Sequence, residues 1–235
     1  MIGSPTLGFA EAMRREQMPK AVVICSGGLD STTLLYFVRQ DHEVEAVGFD
    51  YGQRHRKELE AMISICRHID VPYTVKLAAI GHKGSVSGDE PVPHGHYAEE
   101  SMKSTIVPNR NMVMIALAAS HATTVGATKV FYGAHHGDHA IYPDCRPEFV
   151  EAMNKALLLG NLWENNGMSV RLEAPFINDS KADIVRLGTR LGVPFEKTWS
   201  CYEGGAVHCG LCGTCQERKE AFKIAGVPDP TAYKT

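Results

Sequence analysis

Ala21-Val22-Val23-Ile24-Cys25-Ser26-Gly27-Gly28-Leu29-Asp30-Ser31 is the stretch that decides the fold. Ala21 to Cys25 is a short, β-prone apolar run with no polar break, the pattern of a strand buried on both faces. Two glycines follow, and Ser31 to Arg39 then takes up helical spacing through Leu34, Leu35 and Val38. A strand entering a helix through such a turn aims free N–H groups and the positive end of the helix dipole at one spot. That spot suits a phosphate: glycine lets the backbone wrap closely, and Ser26 and Ser31 add hydroxyl donors. Asp30 by itself repels a phosphate, so its presence predicts Mg²⁺ between the two. The turn is neither G-x-x-x-x-G-K-[ST] nor G-x-G-x-x-G.

Outward from this turn the rhythm repeats. Val44 to Phe49 reads as a second strand, Lys57 to Ile69 as a helix and Tyr73 to Leu77 as a third strand. Asn111 to Val125 is helical, Lys129 to Tyr132 a strand, and Pro147 to Leu159 a helix with proline in its first turn. Val170 to Ala174 reads as a further strand. A last helix of this series is capped by Asp179 or Ser180 and stopped near Leu191 by Gly192. Strands alternating with helices predict an α/β fold with a Rossmann-like parallel sheet. Residues 80–108 carry Gly, Pro, His and Ser without periodicity, the mark of a functional lid or a mobile segment. Asp50-Tyr51-Gly52-Gln53 closes the second strand, where ligands of open sheets gather, and is expected to meet adenine or ribose.

Bulk properties narrow the classes. A length of 235 residues suits one large domain or a domain with a small appendage, and 44% hydrophobic residues suffice for a packed core. A net charge of −3 gives no general pull toward nucleic acid or anionic membrane. The basic run Arg54-His55-Arg56-Lys57 is either a solvated helix start or a local anion site. No apolar run approaches the roughly 18 residues of a membrane span, and the first residues lack a signal-peptide core, so the chain reads as cytoplasmic. The expected organisation is an N-terminal extension over 1–18, a domain carrying the glycine turn over 19–198 and a cysteine-bearing region over 199–235.

Of seven cysteines, Cys201, Cys209, Cys212 and Cys215 have the spacing C-x₇-C-x₂-C-x₂-C. Four thiolates so close together can saturate a tetrahedral ion, the structural Zn²⁺ arrangement, although an iron–sulfur cluster uses the same ligand set. Such a site folds the segment that carries it and is expected to pin the tail beside the active site. An odd cysteine count with one crowded cluster belongs to a reduced thiol protein rather than a disulfide framework.

The Ser26–Ser31 letters match the SGGxDS signature of the PP-loop ATP pyrophosphatases, which cleave ATP to AMP and pyrophosphate. Three further marks follow in order: Phe49-Asp50-Tyr51-Gly52-Gln53-Arg54-His55, then Tyr142-Pro143-Asp144-Cys145-Arg146-Pro147-Glu148-Phe149, then the four cysteines. With them the chain resembles the QueC family over about residues 20–220. The resemblance implies an ATP-dependent C–N ligase taking 7-carboxy-7-deazaguanine and ammonium to a nitrile. Carboxylate and amide oxygen are adenylated in turn, and two ATP are consumed. It also implies Mg²⁺ at the triphosphate, structural zinc, a homodimer, no direct contact with nucleic acid, and a product bound for queuosine-type modification.

On this resemblance ATP falls to Cys25, Ser26, Gly27, Gly28, Leu29, Asp30 and Ser31, with Asp50, Tyr51, Arg110 and Asn111. Lys181, at a helix start, is either a cation beside the phosphates or a surface lysine. Gly52, Gln53, Asp144 and Arg146 are the expected substrate contacts. Arg146 would fork the carboxylate and Asp144 accept guanine-like N–H groups, unless the pair merely caps the next helix. The catalytic set is Asp30, Lys181 and Arg146. Cys145 is expected to be a small packing residue, since ammonia needs no thioester. The chain departs from the family at Asn109, where glycine is frequent, and at His135, His136 and His139, which either bind metal or line the pocket.

Overall fold

The computed structural model describes residues 18–80, 84–160 and 169–234. Most of the expected N-terminal extension therefore lies outside the described residues, as do positions 81–83 of the irregular segment. Five parallel strands form one sheet: β1 (Lys20–Ile24), β2 (Glu43–Asp50), β3 (Tyr73–Leu77), β4 (Lys129–Phe131) and β5 (Arg171–Glu173), in the order β3-β2-β1-β4-β5. β1 pairs Val22 with Glu45 on one side and with Val130 on the other, so it lies at the centre and is covered on both faces.

The helices that cover it are α1 (Leu29–Val38), α2 (Lys57–His68), α3 (Arg110–Val125), α4 (Pro147–Gly160), α5 (Lys181–Arg190) and α6 (Gly213–Ala225). Strand alternation sorts them into two cores. Val22 and Val130 face Ile115, Ala118 and Ala119 of α3, while Ala21 and Val23 face Leu34 and Leu35 of α1 and Val185 of α5. Among the described residues no helix is long and apolar enough to cross a membrane.

Helix ends follow local chemistry. α1 starts two residues earlier than its spacing predicts, because extended Gly28 acts as N-cap and its carbonyl already accepts from Thr32 N–H at 3.1 Å. Asn109 takes the left-handed conformation, φ +62°, before α3, as its side chain permits. Ser180, not Asp179, caps α5 through a reciprocal box with Asp183.

The segment expected to be a lid is docked instead. Its short helical turns, Gly84–Ser87 and Glu99–Met102, bury Val86 and Met102. Arg54 ties it down by donating to the carbonyls of Ser85 at 3.2 Å and Glu90 at 2.7 Å, and Gly95 N–H donates to Leu211 O at 2.9 Å. The basic run is thus consumed by protein contacts: Arg56 pairs with Asp50 at 3.1 Å and Lys57 with Glu60 at 3.5 Å, while His55 packs on Trp199.

Candidate functional site

The strand order turns around between β1 and β4, and there a cleft of 260 Å³ opens at the carboxyl ends of the strands. Ile24 and Ser26 enter it from β1, Tyr51 from β2, and Tyr132 and Gly133 from β4. The turn after β1 is held by Ser31 Oγ, which accepts from Ser26 N–H at 3.1 Å, and by Ser26 Oγ, which accepts from Gly28 N–H at 3.2 Å. Gly27 has φ +93°, and a Cβ there would stand 2.2 Å from Glu58 O, so only glycine lets α2 lie against the turn. The first-turn N–H groups of Leu29, Asp30 and Ser31 have no acceptor within their helix. They make the mouth of the cleft an anion site.

Beside this turn stands a charge cluster built from four separate elements. Lys181 Nζ, at the start of α5, lies 3.3 Å from Asp30 Oδ2 and 2.5 Å from Glu217 Oε2 of α6. Burial by itself favours the neutral amine of Lys181, but Asp30 and Glu217 outweigh it and hold the ammonium charged. Burial raises the Glu217 carboxyl against the opposing pull of Lys181. Asp138 joins the cluster and accepts from Tyr97 Oη at 2.9 Å, so the docked segment supplies one wall.

His135 is 1% exposed, and its Nε2 faces Asp138 at 3.5 Å and Asp30 at 3.9 Å. Its Nδ1 accepts from Gly137 N–H at 3.1 Å, which places the proton of the neutral ring on Nε2. His135 therefore presents a donor to the carboxylates and has no lone pair there for a cation. His136 is exposed and His139 packs edge-on against it at 5.0 Å. Asp30 Oδ1 is buried without a hydrogen-bond partner among the described residues. The unpartnered Asp30 oxygen adds to the Asp138 and Glu217 carboxylates near it, and the chemistry of that oxygen set fits Mg²⁺.

Across the cleft lies a second environment. Arg110 donates to Tyr51 Oη at 3.4 Å and lies over that ring, 5.7 Å from its centre. Tyr202 and Tyr142 complete aromatic walls. Glu58 reaches the same space from the first turn of α2, and burial pushes its carboxyl up to about 7 against the pull of Arg110. The cleft thus carries four carboxylates, Asp30, Glu58, Asp138 and Glu217, against two cations, Arg110 and Lys181. A polyphosphate entering that field needs additional positive charge.

The cleft gathers Ser26, Gly28, Leu29, Asp30 and Ser31, together with Tyr51, Arg110, Asn111 and Lys181. Other expected site residues stand behind it. Gly27 acts through its backbone, and Cys25 is buried, its thiol pushed up to about 11 by burial. Gln53 clamps the strand end, accepting from Tyr51 N–H at 2.9 Å and donating to Phe49 O at 3.3 Å. Asp50 pairs with Arg56, and Gly52 is exposed with φ +77°.

Asp144 and Arg146 do not line the cleft. Arg146 Nε donates to His139 O at 2.7 Å, and Asp144 is engaged by Asn111 at the start of α3. Asp144 thus serves the start of α3, while the Arg146 carbonyl accepts from Phe149 and Val150 N–H, at 3.1 and 3.3 Å, and so caps the helix that follows. Cys145 does reach the cleft, but as a buried thiol whose pKa burial raises, receiving Asn111 Nδ2 at 3.7 Å. Glu217, Asp138, Tyr97, Glu58 and Tyr202 were not legible as site residues. Glu217 alone had a local signal, two positions after Cys215.

The four cysteines form their own closed core with Val92. Their Sγ atoms all lie within 4.8 Å of one another, and Cys209 and Cys215 are 4.0 Å apart. Thiolates on a zinc tetrahedron stand about 3.8 Å apart. Leu211 and Cys212 N–H both donate to Cys209 Sγ, at 3.3 and 3.2 Å, and Cys209 N–H donates to Cys201 Sγ at 3.3 Å. Such donors offset thiolate charge, so the cluster fits a metal. His208 is not a fifth ligand: its Nε2 accepts from Ser200 N–H at 3.1 Å, and burial drops its pKa to about 4.

A phosphate turn at the switch point of a parallel sheet, faced by a lysine–carboxylate array, defines an α/β nucleotide-binding enzyme. The same fold occurs in the U34-tRNA thiolase NcsA from Methanococcus maripaludis with its [4Fe-4S] cluster. That structure has a TM-score of 0.50 and 14% identity, covering 93% of this chain and 68% of the other. The profile of the family "Queuosine biosynthesis protein QueC" matches residues 20–226. The chain is 50% identical over 220 residues to the 7-cyano-7-deazaguanine synthase of Caldicellulosiruptor bescii, covering 92% of this chain and 97% of that one. It is 51% identical over 219 residues to that of Rhizobium meliloti, covering 91% and 92%. The chain belongs to the QueC family, the 7-cyano-7-deazaguanine synthases.

Proposed function

We propose that the chain converts 7-carboxy-7-deazaguanine and ammonium to 7-cyano-7-deazaguanine at the expense of two ATP. The observation that carries this is the Lys181 ammonium held between Asp30 and Glu217 at the mouth of an anion-binding turn. A carboxylate is a poor electrophile because its oxygen leaves badly. Attack of that oxygen on the α-phosphorus of ATP breaks the bond to pyrophosphate and yields an acyl adenylate. Ammonia adds to the acyl carbon, AMP leaves and the amide forms. The amide oxygen takes a second adenylate in the same way. Loss of AMP and of the nitrogen-bound protons then gives the nitrile.

The chain's own part is positional. N–H groups after Gly28 and the Lys181 ammonium receive the leaving pyrophosphate where its charge grows. Asp30, Asp138 and Glu217 would hold Mg²⁺, which supplies the charge a triphosphate needs in a cleft with excess carboxylate. His135 directs its Nε2–H toward Asp138, the nearer of the two carboxylates it faces. Tyr51 and Arg110 line the nucleoside and substrate end.

The four cysteines would hold Zn²⁺ and fasten region 199–235 against the ATP-binding domain of 19–198. Free thiols in that cluster support residence in a reducing cytoplasm. The net charge of −3 agrees with a small-molecule substrate rather than nucleic acid, and the family resemblance supports a homodimer.

Mass spectrometry of a reaction with 7-carboxy-7-deazaguanine, Mg-ATP and ammonium tests the proposal. A nitrile with two AMP per product is expected. An amide with one AMP would end the sequence one step earlier.

A further inference from the structure

Glu58 is the one cleft carboxylate outside the Lys181 cluster, and the charge that acts on it is Arg110. Its position is fixed by backbone: α2 lies so close to Gly27 that a Cβ there would meet Glu58 O and Met62 N. Among the described residues nothing hydrogen-bonds its carboxylate. The surfaces around it, Tyr51, Tyr202 and the Arg110 guanidinium, are flat, which suits a planar heterocycle.

A cleft that handles both ATP and a deazaguanine acid must tell two purine-like rings apart. We infer that ionised Glu58 is the specificity residue for the acid substrate, its two oxygens accepting from adjacent N–H donors of a guanine-type lactam edge. This rests on the reading of the chain as a ligase of a deazaguanine acid. A carboxylate has only acceptors. The guanine-type edge offers a ring N–H and an exocyclic amine side by side. Adenine offers an amine beside a ring nitrogen lone pair, which a carboxylate oxygen repels. A site built on such complementarity rejects the wrong ring because its buried group is left unpaired. The acid–base behaviour agrees in sign. A carboxyl raised to about 7 is protonated below that pH and becomes the two-oxygen acceptor only above it.

Steady-state kinetics of wild type and Glu58→Gln, each substrate varied in turn, test this. The glutamine turns one acceptor into a donor facing a donor. The kcat/KM for the acid is expected to fall about 100-fold, with the KM for ATP moved less than about threefold. In the wild type, kcat/KM for the acid should climb as pH rises through about 7. In the variant that limb should vanish. An acid analogue lacking the exocyclic amine should lose about tenfold or more against wild type and little against Glu58→Gln.

Arg110 loses the carboxylate charge beside it in this variant, but no hydrogen bond among the described residues is broken, so metal content should match wild type and the melting temperature should stay within a few degrees of it. An unchanged KM for the acid, or a rise confined to ATP, overturns the inference and puts the nucleotide at Glu58 instead. Wild type that makes no product from the acid would refute the substrate reading itself, before the variant is compared.

Discussion

Among the described residues two clusters are suited to cations, and they differ in almost every physical respect. The thiolate cluster draws all its donors from Cys201–Cys215, and three of its four cysteines are fully buried. The carboxylate cluster draws on α1, α5, α6 and the loop after β4, and it opens onto a cleft. The first has four donors for four positions and leaves none for a ligand, which is how a structural site is built. The second keeps an unpartnered Asp30 oxygen and a tethered ammonium, which is how a site that receives charge is built. They are coupled through two residues of sequence: Cys215 belongs to one and Glu217 to the other, within one turn of α6 and on opposite sides of it. The closed site therefore sets the register of the open one.

That coupling can be broken from either end. Asp30→Ala carries the largest expected effect, a loss of about 10³-fold or more in AMP release, with the metal content of the thiolate cluster intact. Activity within tenfold of wild type would show that the open cluster does not receive the phosphates. Cys212→Ser is expected to lower bound metal and stability together, by several kcal/mol, and to remove activity by displacing Glu217. Elemental analysis and a thermal melt check this; a metal-free variant that stays folded and active would uncouple the clusters.

Glu217→Gln separates them from the other side. Lys181 keeps Asp30 but loses its second carboxylate, so kcat should fall by about 10- to 100-fold while the metal content of the thiolate cluster and the melting temperature stay near wild type. Arg146→Ala should have the smallest effect, within about threefold on any kinetic constant, because its guanidinium is spent on His139 O behind the cleft. A rise in the KM of the acid alone would return Arg146 to the substrate.

The order of strands and helices was readable because each element declares itself locally. Ala21–Ile24 is apolar without alternation, Ser180 and Asp183 form their own cap, and Gly126 and Gly192 end helices by taking positive φ. The phosphate turn and the cysteine spacing were readable for the same reason, since in each the functional atoms lie within a few residues of one another. The roles of Asp144 and Arg146 stayed open in the sequence because polar residues at a helix start look the same whether they bind a ligand or a backbone. Asp144 serves α3, which lies more than 30 positions upstream in the chain. The irregular segment misled: its lack of periodicity hides the Arg54 and Leu211 contacts that dock it.

By itself, then, the sequence determined the sheet, the glycine turn after β1 and the four-thiol knuckle, because backbone geometry, glycine conformation and close spacing are local properties. Tertiary structure alone decided that Glu217 meets Lys181, that Tyr97 meets Asp138 and that Glu58 shares one side of the cleft with Arg110. Those pairings join residues tens of positions apart. Their energies come from burial and from charges held close in a low-dielectric cleft, neither of which exists until the chain has folded.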